Sequence, residues 1–274
     1  MKIIFLDLDG TLNESFAPAP DSALEAIKKA RENGHKIFIN TGRAVGEVPR
    51  FVKSIEMDGW VTSQGGFVCA DGEVLFDISL DKDKAKKLYD YLDENKIIHV
   101  LETQNEIVGT KEALDFATNL FLDIQEHHGV PRTVENELCG IMRVSDNLAE
   151  EKDAKKVLYY QSQISIDEMK EIFGNDFSFT ASSISKEKAV NGEIGDIRVS
   201  KSKGMEIAAS HYGLTIEDTI AVGDGANDID MLKAAGIGIA MGNADENVKA
   251  IADMITDDVR NDGLYKAFEK CGLI

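Results

Sequence analysis

The sequence predicts an α/β fold, a Rossmann-like core of parallel strands into which a separate α+β domain is inserted. Three observations support this prediction. Short buried strands alternate with amphipathic helices near both ends of the chain. Acidic or glycine-rich segments follow several of these strands, at the sheet edge where open α/β folds gather their ligands. The middle of the chain instead interleaves helices with alternating strands, a pattern typical of α+β domains.

A β-α-β unit is predicted at the start of the chain. Residues 2–6 form a short run of β-branched and large apolar residues, which is typical of a central strand. A helix is predicted to begin near Asp21 and to end at Asn33-Gly34, and a second strand follows over residues 35–39. Because such a unit brings its strands side by side in parallel, the residues that follow the two strands should lie close together.

The same pattern returns near the other end of the chain. The predicted elements there are strands over residues 219–222 and 236–241 and helices over residues 227–235 and 244–251. The two terminal segments should therefore build one parallel sheet, and the predicted core consists of residues 1–80 and 196–274.

Residues 81–195 are predicted to fold as the inserted α+β domain, a lid that sets substrate specificity. Its predicted helices span residues 82–95, 111–126 and 166–173, and its predicted strands span residues 97–101, 138–144, 156–160 and 177–181.

Composition limits the partners and the location that we expect. The chain has 274 residues, 43% of them apolar and 29% charged, as is ordinary for a globular protein. A formal net charge of −19 argues against nucleic acid or an anionic membrane as a partner. The scattered cysteines (Cys69, Cys139 and Cys271) indicate neither a disulfide framework nor a zinc site, and no signal peptide or membrane span is recognisable. We expect a cytoplasmic monomer or homodimer that acts on a small molecule.

Asp7 and Asp9 follow the first strand, where side chains two residues apart point the same way. The two carboxylates would repel each other unless a cation lies between them or they carry out chemistry. Asp224 and Asp228 follow another core strand, so with Asp7 they could surround one hard cation. Mg²⁺ is the natural candidate, because it prefers oxygen ligands and tolerates a site made of a few carboxylates, waters and a phosphate. One aspartate would attack phosphorus while its neighbour donates and later recovers a proton.

Phosphoryl transfer also requires donors for the nonbridging phosphate oxygens. The predicted donors lie at the same strand ends: the Thr41 hydroxyl, the backbone amides near Gly10 and Gly42, the Asn227 amide and the Lys203 ammonium. Two roles remain open for Arg43, an exposed structural one and the binding of a substrate anion.

Five segments form a specific set that spans nearly the whole chain in order. They are DLDGTLN at 7–13, NTGR at 40–43, SKSKG at 200–204, GDGANDIDML at 223–232 and AMGNADENVKAIAD at 240–253. With them the chain resembles a haloacid dehalogenase (HAD) superfamily phosphatase, most closely the Cof-type group (subclass IIB) with a C2 cap. The chain departs from that pattern at Gln64-Gly65-Gly66, where relatives commonly carry Asn-Gly-Ala.

The resemblance implies a role for each matching residue. Asp7 would be the nucleophile, and Asp9 the general acid and base whose main-chain carbonyl also meets the metal. The remaining implied roles are phosphate binding by Thr41 and Asn227, charge neutralisation by Lys203, Mg²⁺ binding by Asp224, and support of the metal or of Lys203 by Asp228. The implied activity is Mg²⁺-dependent hydrolysis of a sugar phosphate or a phosphorylated cofactor through an aspartyl-phosphate.

Three other functions use related sites. A sugar phosphomutase of the same superfamily has a similar Asp pair and cap, and would isomerise its substrate instead of releasing phosphate. A receiver-type phosphoacceptor also places an Asp, a Thr and a Lys around Mg²⁺, but the chain length, Asp9 and the insert count against it. A non-catalytic binder of phosphorylated metabolites is disfavoured, because no expected catalytic residue is missing.

Overall fold

The computed structural model describes residues 1–131, 139–181 and 191–274, which divide into two compact units. The first unit consists of residues 1–43, 49–77 and 200–274, and the second of residues 44–48 and the described part of 78–199. The domain boundaries predicted after residues 80 and 195 stay predictions, and the short segment 44–48 was expected in the core.

The described residues contain fourteen strands. In chain order they are β1 (Ile3–Leu6), β2 (Lys36–Asn40), β3 (Gly59–Thr62), β4 (Phe67–Ala70), β5 (Glu73–Asp77), β6 (Ile98–Thr103), β7 (Ile107–Gly109), β8 (Met142–Val144), β9 (Ala154–Tyr160), β10 (Phe177–Ala181), β11 (Gly192–Asp196), β12 (Thr219–Gly223), β13 (Ile237–Ala240) and β14 (Met254–Ile255). The strand predicted over residues 138–144 is described from Met142 onward, and Leu138 lies outside the described residues.

The described residues also contain nine α-helices. In chain order they are α1 (Asp21–Glu32), α2 (Arg50–Lys53), α3 (Lys82–Glu94), α4 (Lys111–His127), α5 (Ile166–Phe173), α6 (Lys201–His211), α7 (Ile229–Ala234), α8 (Glu246–Lys249) and α9 (Gly263–Lys270). None of them combines the length and the apolar composition that crossing a membrane requires.

The first unit, all of which is described, is built on an eight-stranded sheet in the order β14-β13-β12-β1-β2-β3-β4-β5. The strands from β14 to β3 are parallel, and β3, β4 and β5 are joined as antiparallel neighbours. The sheet confirms the predicted α/β class. In its register Leu6 lies beside Val222 on one neighbouring strand and Ile39 on the other. The residues that follow β1, β2 and β12 therefore emerge at one sheet edge.

Burial explains why β1 lies at the centre of this sheet. Its four residues are fully buried, as expected for a strand covered on both faces. Phe5, Phe38 and Val61 pack with Met205 and Ala208 of α6 in one apolar cluster. A Cβ on Gly204 would overlap the Val61 side chain, so the absence of a side chain there allows α6 to approach β3 closely.

The described part of the second unit contains a six-stranded sheet in the order β10-β11-β9-β6-β7-β8. Its neighbours are antiparallel except β7 and β8. One face packs against α3 and α5 in a core that includes Leu88, Leu92, Val157, Met169 and Phe177, and α4 covers part of the other face. Strands and helices of this kind match the α+β class predicted for the insert.

Candidate active site

A buried lysine joins two carboxylates at the edge of the first unit's sheet. Asp7 follows β1, and its N–H donates to the Val222 carbonyl (3.0 Å), so its backbone continues the strand pairing. Lys201, the first residue of α6, donates through Nζ to Asp7 Oδ1 and to Asp228 Oδ1, both at 2.5 Å. Asp7 is 5% exposed, Lys201 2% and Asp228 0%. This arrangement is a nearly dry, charge-assisted network.

The structure brings Lys201, and not Lys203, to these carboxylates, so the position predicted for Lys203 is wrong. Residues two apart on a helix point about 200° apart, so both lysines cannot face the sheet edge. Lys203 is exposed in the first turn of α6, where its N–H donates to the Ser200 hydroxyl. Lys201 shares the buried face of the helix with Met205, Ala208 and Ala209.

Asp228 organises the turn that follows β12. Its Oδ2 accepts from the N–H groups of Asp224 (3.0 Å) and Gly225 (2.9 Å), while its Oδ1 accepts from Lys201. Asp224 Oδ1 in turn accepts from the Thr11 hydroxyl at 3.1 Å. Gly10 has a φ of +90°, and a Cβ there would overlap the Asp224 carboxylate. Glycine is therefore needed for the loop after β1 to lie against Asp224.

Burial and mutual repulsion shift the proton affinities of these groups. Burial, and then the charge of Asp228, raises the pKa of Asp7 well above its usual range, although Lys201 opposes the shift. The same two causes raise the pKa of Asp224 to about 7. Burial lowers the pKa of Lys201, but the charges of Asp228 and Asp7 outweigh burial and leave it raised. Lys201 therefore stays a cation beside carboxylates that repel one another.

The carboxylates fit a divalent cation. Among the described residues, Asp7, Asp224 and Asp228 form a group whose ligand oxygens lie within 4.8 Å of one another. The charge of Lys201 acts on all three of these carboxylates, whereas Arg43 pairs with Asp9. One divalent ion would balance the remaining formal charge, and an all-oxygen donor set suits a hard cation. Both oxygens of Asp228 already accept hydrogen bonds, so Asp7 and Asp224 are the better-placed ligands.

Asp9 and Arg43 form a two-pronged ion pair beside this cluster. Arg43 Nε donates to Asp9 Oδ2 at 2.7 Å, and Nη2 donates to Asp9 Oδ1 at 2.9 Å. About a third of each side chain is exposed: 27% for Arg43 and 32% for Asp9. Two roles were left open for Arg43, an exposed structural one and the binding of a substrate anion. The structure instead pairs it with Asp9, the predicted general acid.

Thr41 and Gly42 lie on the segment that follows β2, as predicted. Thr41 is buried, and its Oγ1 accepts from the Arg43 N–H at 3.2 Å. The turn after β3 holds this segment, because the N–H groups of Ser63 and Gln64 donate to the carbonyls of Arg43 (2.8 Å) and Thr41 (3.2 Å). The Gln64 side chain lies against Gly42.

Two groups predicted to donate hydrogen bonds to phosphate, the Gly10 N–H and the Asn227 side chain, instead make contacts within their own turns. The Gly10 N–H donates to the Asn13 carbonyl at 2.7 Å, so it is used within its own loop and is not aimed at a phosphate. Asn227 is exposed, and its side-chain oxygen is turned back over Gly225 in the same turn as Asp224.

Sequence reasoning missed several residues that hold the site together. Besides Lys201, they are Thr11, Asn40, whose amide donates to the Lys201 carbonyl (3.2 Å), and Asn243, whose amide donates to the Gly10 carbonyl (2.8 Å). The signal for Lys201 was present: residues 201, 205, 208 and 209 follow the i, i+4, i+7, i+8 spacing of a buried helix face, and residue 203 does not.

Comparison with known proteins identifies the family. The family model for haloacid dehalogenase-like hydrolases matches residues 4–268. The phosphatase YwpJ of Bacillus subtilis is 29% identical over 93% of this chain and 94% of its own. The pyridoxal phosphate phosphatase YbhA of Escherichia coli is 27% identical over 96% of each chain.

Solved structures with the same fold cover the whole chain. A HAD subclass IIB sugar phosphatase is 26% identical with a TM-score of 0.78, and all of both chains is aligned. A HAD superfamily phosphatase from Bacteroides thetaiotaomicron is 27% identical with a TM-score of 0.79 over 100% of this chain and 96% of that one. These comparisons confirm the resemblance inferred from the motifs, and with it the class of phosphate-ester hydrolases.

Proposed function

The chain belongs to the haloacid dehalogenase-like hydrolases, and on that premise we propose that it is a Mg²⁺-dependent phosphatase that works through an aspartyl-phosphate on Asp7. One observation carries the proposal. The Asp7 carboxylate is buried at the end of the central strand, shares Lys201 with Asp228, and lies within 4.8 Å of Asp224. A nucleophile, a fixed cation and a candidate metal ligand are thus assembled in one place.

In the first step an Asp7 oxygen attacks the phosphorus of the ester. A phosphorus–oxygen bond to Asp7 forms as the bond to the leaving oxygen breaks, and Asp9, which enters this step protonated, gives that oxygen its proton. Lys201 and the Thr41 hydroxyl are assigned to the negative charge of the transferred group, in place of Lys203.

In the second step water attacks the phosphorus of the aspartyl-phosphate. Asp9, now a carboxylate, takes a proton from that water, inorganic phosphate leaves, and the Asp7 carboxylate is restored. The two steps return every group to its starting state, so no other reactant than water is needed.

The metal would be held by Asp7, Asp224 and the main-chain carbonyl of Asp9, with Asp228 orienting Lys201 and the Asp224 turn. Mg²⁺ bound there would offset the charge of the phosphoryl oxygens. Supporting this assignment, burial and the charge of Asp228 raise the pKa of Asp224 to about 7, as expected for carboxylates that lie close together in a buried site.

The substrate is proposed to be a small phosphorylated metabolite, a sugar phosphate or a phosphorylated cofactor. Similar proteins carry those activities in their names: a sugar phosphatase and a pyridoxal phosphate phosphatase. We assign the choice among such esters to the inserted domain, residues 81–195 in the predicted bounds, acting as a C2-type cap.

The test is phosphate release from a panel of sugar phosphates, nucleotides and phosphorylated cofactors with Mg²⁺. Wild type should release phosphate, Asp7→Asn should not, and Asp21→Asn, an exposed aspartate in the first turn of α1, should match wild type. Equal turnover by Asp7→Asn would overturn the mechanism. Isomerised sugar phosphate without free phosphate would instead identify a mutase.

The metal is tested separately. Removing divalent ions with a chelator should abolish turnover, and Mg²⁺ should restore it. Ca²⁺ should bind but support little activity, because its looser and higher coordination would misplace the nucleophile. Full activity in Ca²⁺, or in the chelator, would contradict the proposed role of Mg²⁺.

A further inference from the structure

Arg43 and Asp9 form an ion pair to which the sequence motifs assign no role. Both oxygens of Asp9 are engaged by one guanidinium, at 2.7 and 2.9 Å. A planar fork that binds both oxygens fixes the plane of the carboxylate as well as its place, which a single hydrogen bond does not do. Arg43 therefore controls the direction in which Asp9 presents its oxygens.

The backbone of Arg43 is hydrogen-bonded on both sides. The Arg43 N–H donates to Thr41 Oγ1, and the Arg43 carbonyl accepts from the Ser63 N–H at 2.8 Å. Ser63 and Gln64 both have positive φ values, of 50° and 56°, which are unfavourable for residues with side chains. This turn after β3 therefore contacts the segment that carries Arg43 through two backbone hydrogen bonds, from Ser63 to Arg43 and from Gln64 to Thr41.

We propose that Arg43 is a positioning residue that orients the Asp9 carboxylate toward the leaving oxygen of the substrate. The inference rests on the proposed function, because it takes Asp9 as the group that protonates that oxygen. It separates Arg43 from a substrate-binding role: a residue that binds a substrate anion contributes to KM, whereas a residue that aims the acid contributes to kcat.

The leaving group provides the discriminating measurement. An ester with a poor leaving group depends on protonation of the departing oxygen, whereas 4-nitrophenyl phosphate hardly does. Arg43→Ala should therefore lower kcat by about 10²-fold for phenyl phosphate, less than tenfold for 4-nitrophenyl phosphate, and change KM by less than about threefold. An equal fall for both esters, or a raised KM with unchanged kcat, would overturn the proposal.

Chemical rescue supplies the control for a merely structural effect. Added guanidinium should restore part of the phenyl phosphate activity of Arg43→Ala, because the pair is partly exposed and the truncation leaves room for it. Arg43→Met fills that room with an apolar chain and should not be rescued. Rescue of both variants, or of neither, would overturn the proposal. Arg43→Lys, which keeps the charge but not the fork, should fall between wild type and Arg43→Ala.

Asp9→Asn distinguishes failure of this inference from failure of the proposed function. If Asp9→Asn lowers kcat equally for both esters, Asp9 is not the acid and the proton-transfer step of the proposed function fails, whereas loss of phosphate release in wild type would mean that the proposed function itself fails. If Asp9→Asn shows the leaving-group effect and Arg43→Ala does not, only the role of Arg43 fails. The double variant Asp9→Asn/Arg43→Ala should have nearly the same kcat as Asp9→Asn, because the two residues act through one contact. Thermal unfolding of each variant confirms that it is folded.

Discussion

Lys201 holds two buried carboxylates at once, and its removal would leave their charges unbalanced in a nearly dry site. Lys201→Met should lower kcat by at least about 10³-fold, since the cation assigned to the phosphoryl charge is lost. It should also destabilise the protein by about 3–5 kcal/mol, because Asp7 and Asp228 then repel each other without compensation. Steady-state kinetics and urea unfolding measure the two effects.

Lys203→Met is the matched control from the same helix turn. Lys203 is exposed and two residues away, so this variant should keep kcat within about threefold of wild type and lose less than about 0.5 kcal/mol. If Lys203→Met were the inactive variant and Lys201→Met the active one, the position of α6 relative to Asp7 would have to be reconsidered.

The raised pKa of Asp224 predicts how pH and metal act together on stability. The native carboxyl, with a pKa of about 7, keeps its proton at pH values where the unfolded chain, near 3.8, has lost it. Metal-free stability should therefore fall as pH rises from about 4 to about 7. A metal competes with the proton for the same oxygen, so the stabilisation by excess Mg²⁺ should grow over that range.

Thermal unfolding in chelator and in excess Mg²⁺, at about pH 5 and about pH 8, measures that stabilisation directly. The gap between the two midpoints should be larger at the higher pH. In Asp224→Asn the gap should shrink at both values, and the metal-free variant should be more stable than metal-free wild type near pH 8. An equal gap at both pH values in wild type would contradict the assignment of Asp224.

The sequence predicted which strand ends bring the carboxylates together, but not how every polar group at those ends is oriented. Asp7, Asp224 and Asp228 come together as expected, because parallel strands bring their carboxyl ends to one edge. The choice between two lysines depended on which face of α6 is buried, and the Gly10 amide is used by its own loop. The pairing of Asp9 with Arg43 could not be read from the chain, since it depends on side-chain directions across two strands.

At the scale of elements, regular helices and buried strands were predicted well, whereas short or exposed elements were missed. The exposed pattern of β5 gives no clear alternation, although Asp71-Gly72, with φ values of 48° and 82°, was a recognisable hairpin signal before it. The helix predicted from residue 227 begins instead at Ile229, because Asp228 bonds the amides of Asp224 and Gly225 and tightens the chain into a 3-10 turn.

The end of α3 offers a prediction about stability. Four other helices end in a glycine with positive φ: Gly34 after α1, Gly129 after α4, Gly213 after α6 and Gly272 after α9. After α3 the same position is Lys96, with a φ of 56°. The Lys96 N–H donates to the Asp93 carbonyl, and the Ile97 N–H donates to the Leu92 carbonyl. These two hydrogen bonds form a Schellman motif, a helix end that favours glycine at this position.

Lys96→Gly should therefore stabilise the protein by about 0.5–1 kcal/mol, because it removes the cost of a left-handed side-chain residue. Lys96→Ala keeps that cost and should give no comparable gain, which makes it the control. Urea unfolding followed by circular dichroism would show a higher midpoint for the glycine variant with an unchanged slope. A lower midpoint for Lys96→Gly would show that the lysine side chain stabilises this helix end.

At the scale of the whole molecule, each unit has its own sheet and its own apolar core. The core of the second unit joins β6, β9, β10 and β11 to α3 and α5. Residues from outside 78–199 add the short segment 44–48, in which the Gly46 N–H donates to the Gln104 carbonyl at 3.0 Å. A fragment of roughly 120 residues with apolar clusters on both faces of its sheet is large enough to fold alone.

The fragment 78–199 should therefore fold without the rest of the chain, with a cooperative thermal transition and dispersed amide signals in nuclear magnetic resonance spectra. It should be less stable than the same unit in the intact protein, because segment 44–48 is missing. Val157→Asp, which buries an unpaired charge in the fully buried centre of β9, should abolish the transition and serves as the control. A fragment that stays unfolded while the intact protein folds would show that the insert depends on the catalytic core for its stability. In that case the two units would have to be treated as one folding unit, and changes in substrate specificity made in the insert would also be expected to alter the stability of the site around Asp7.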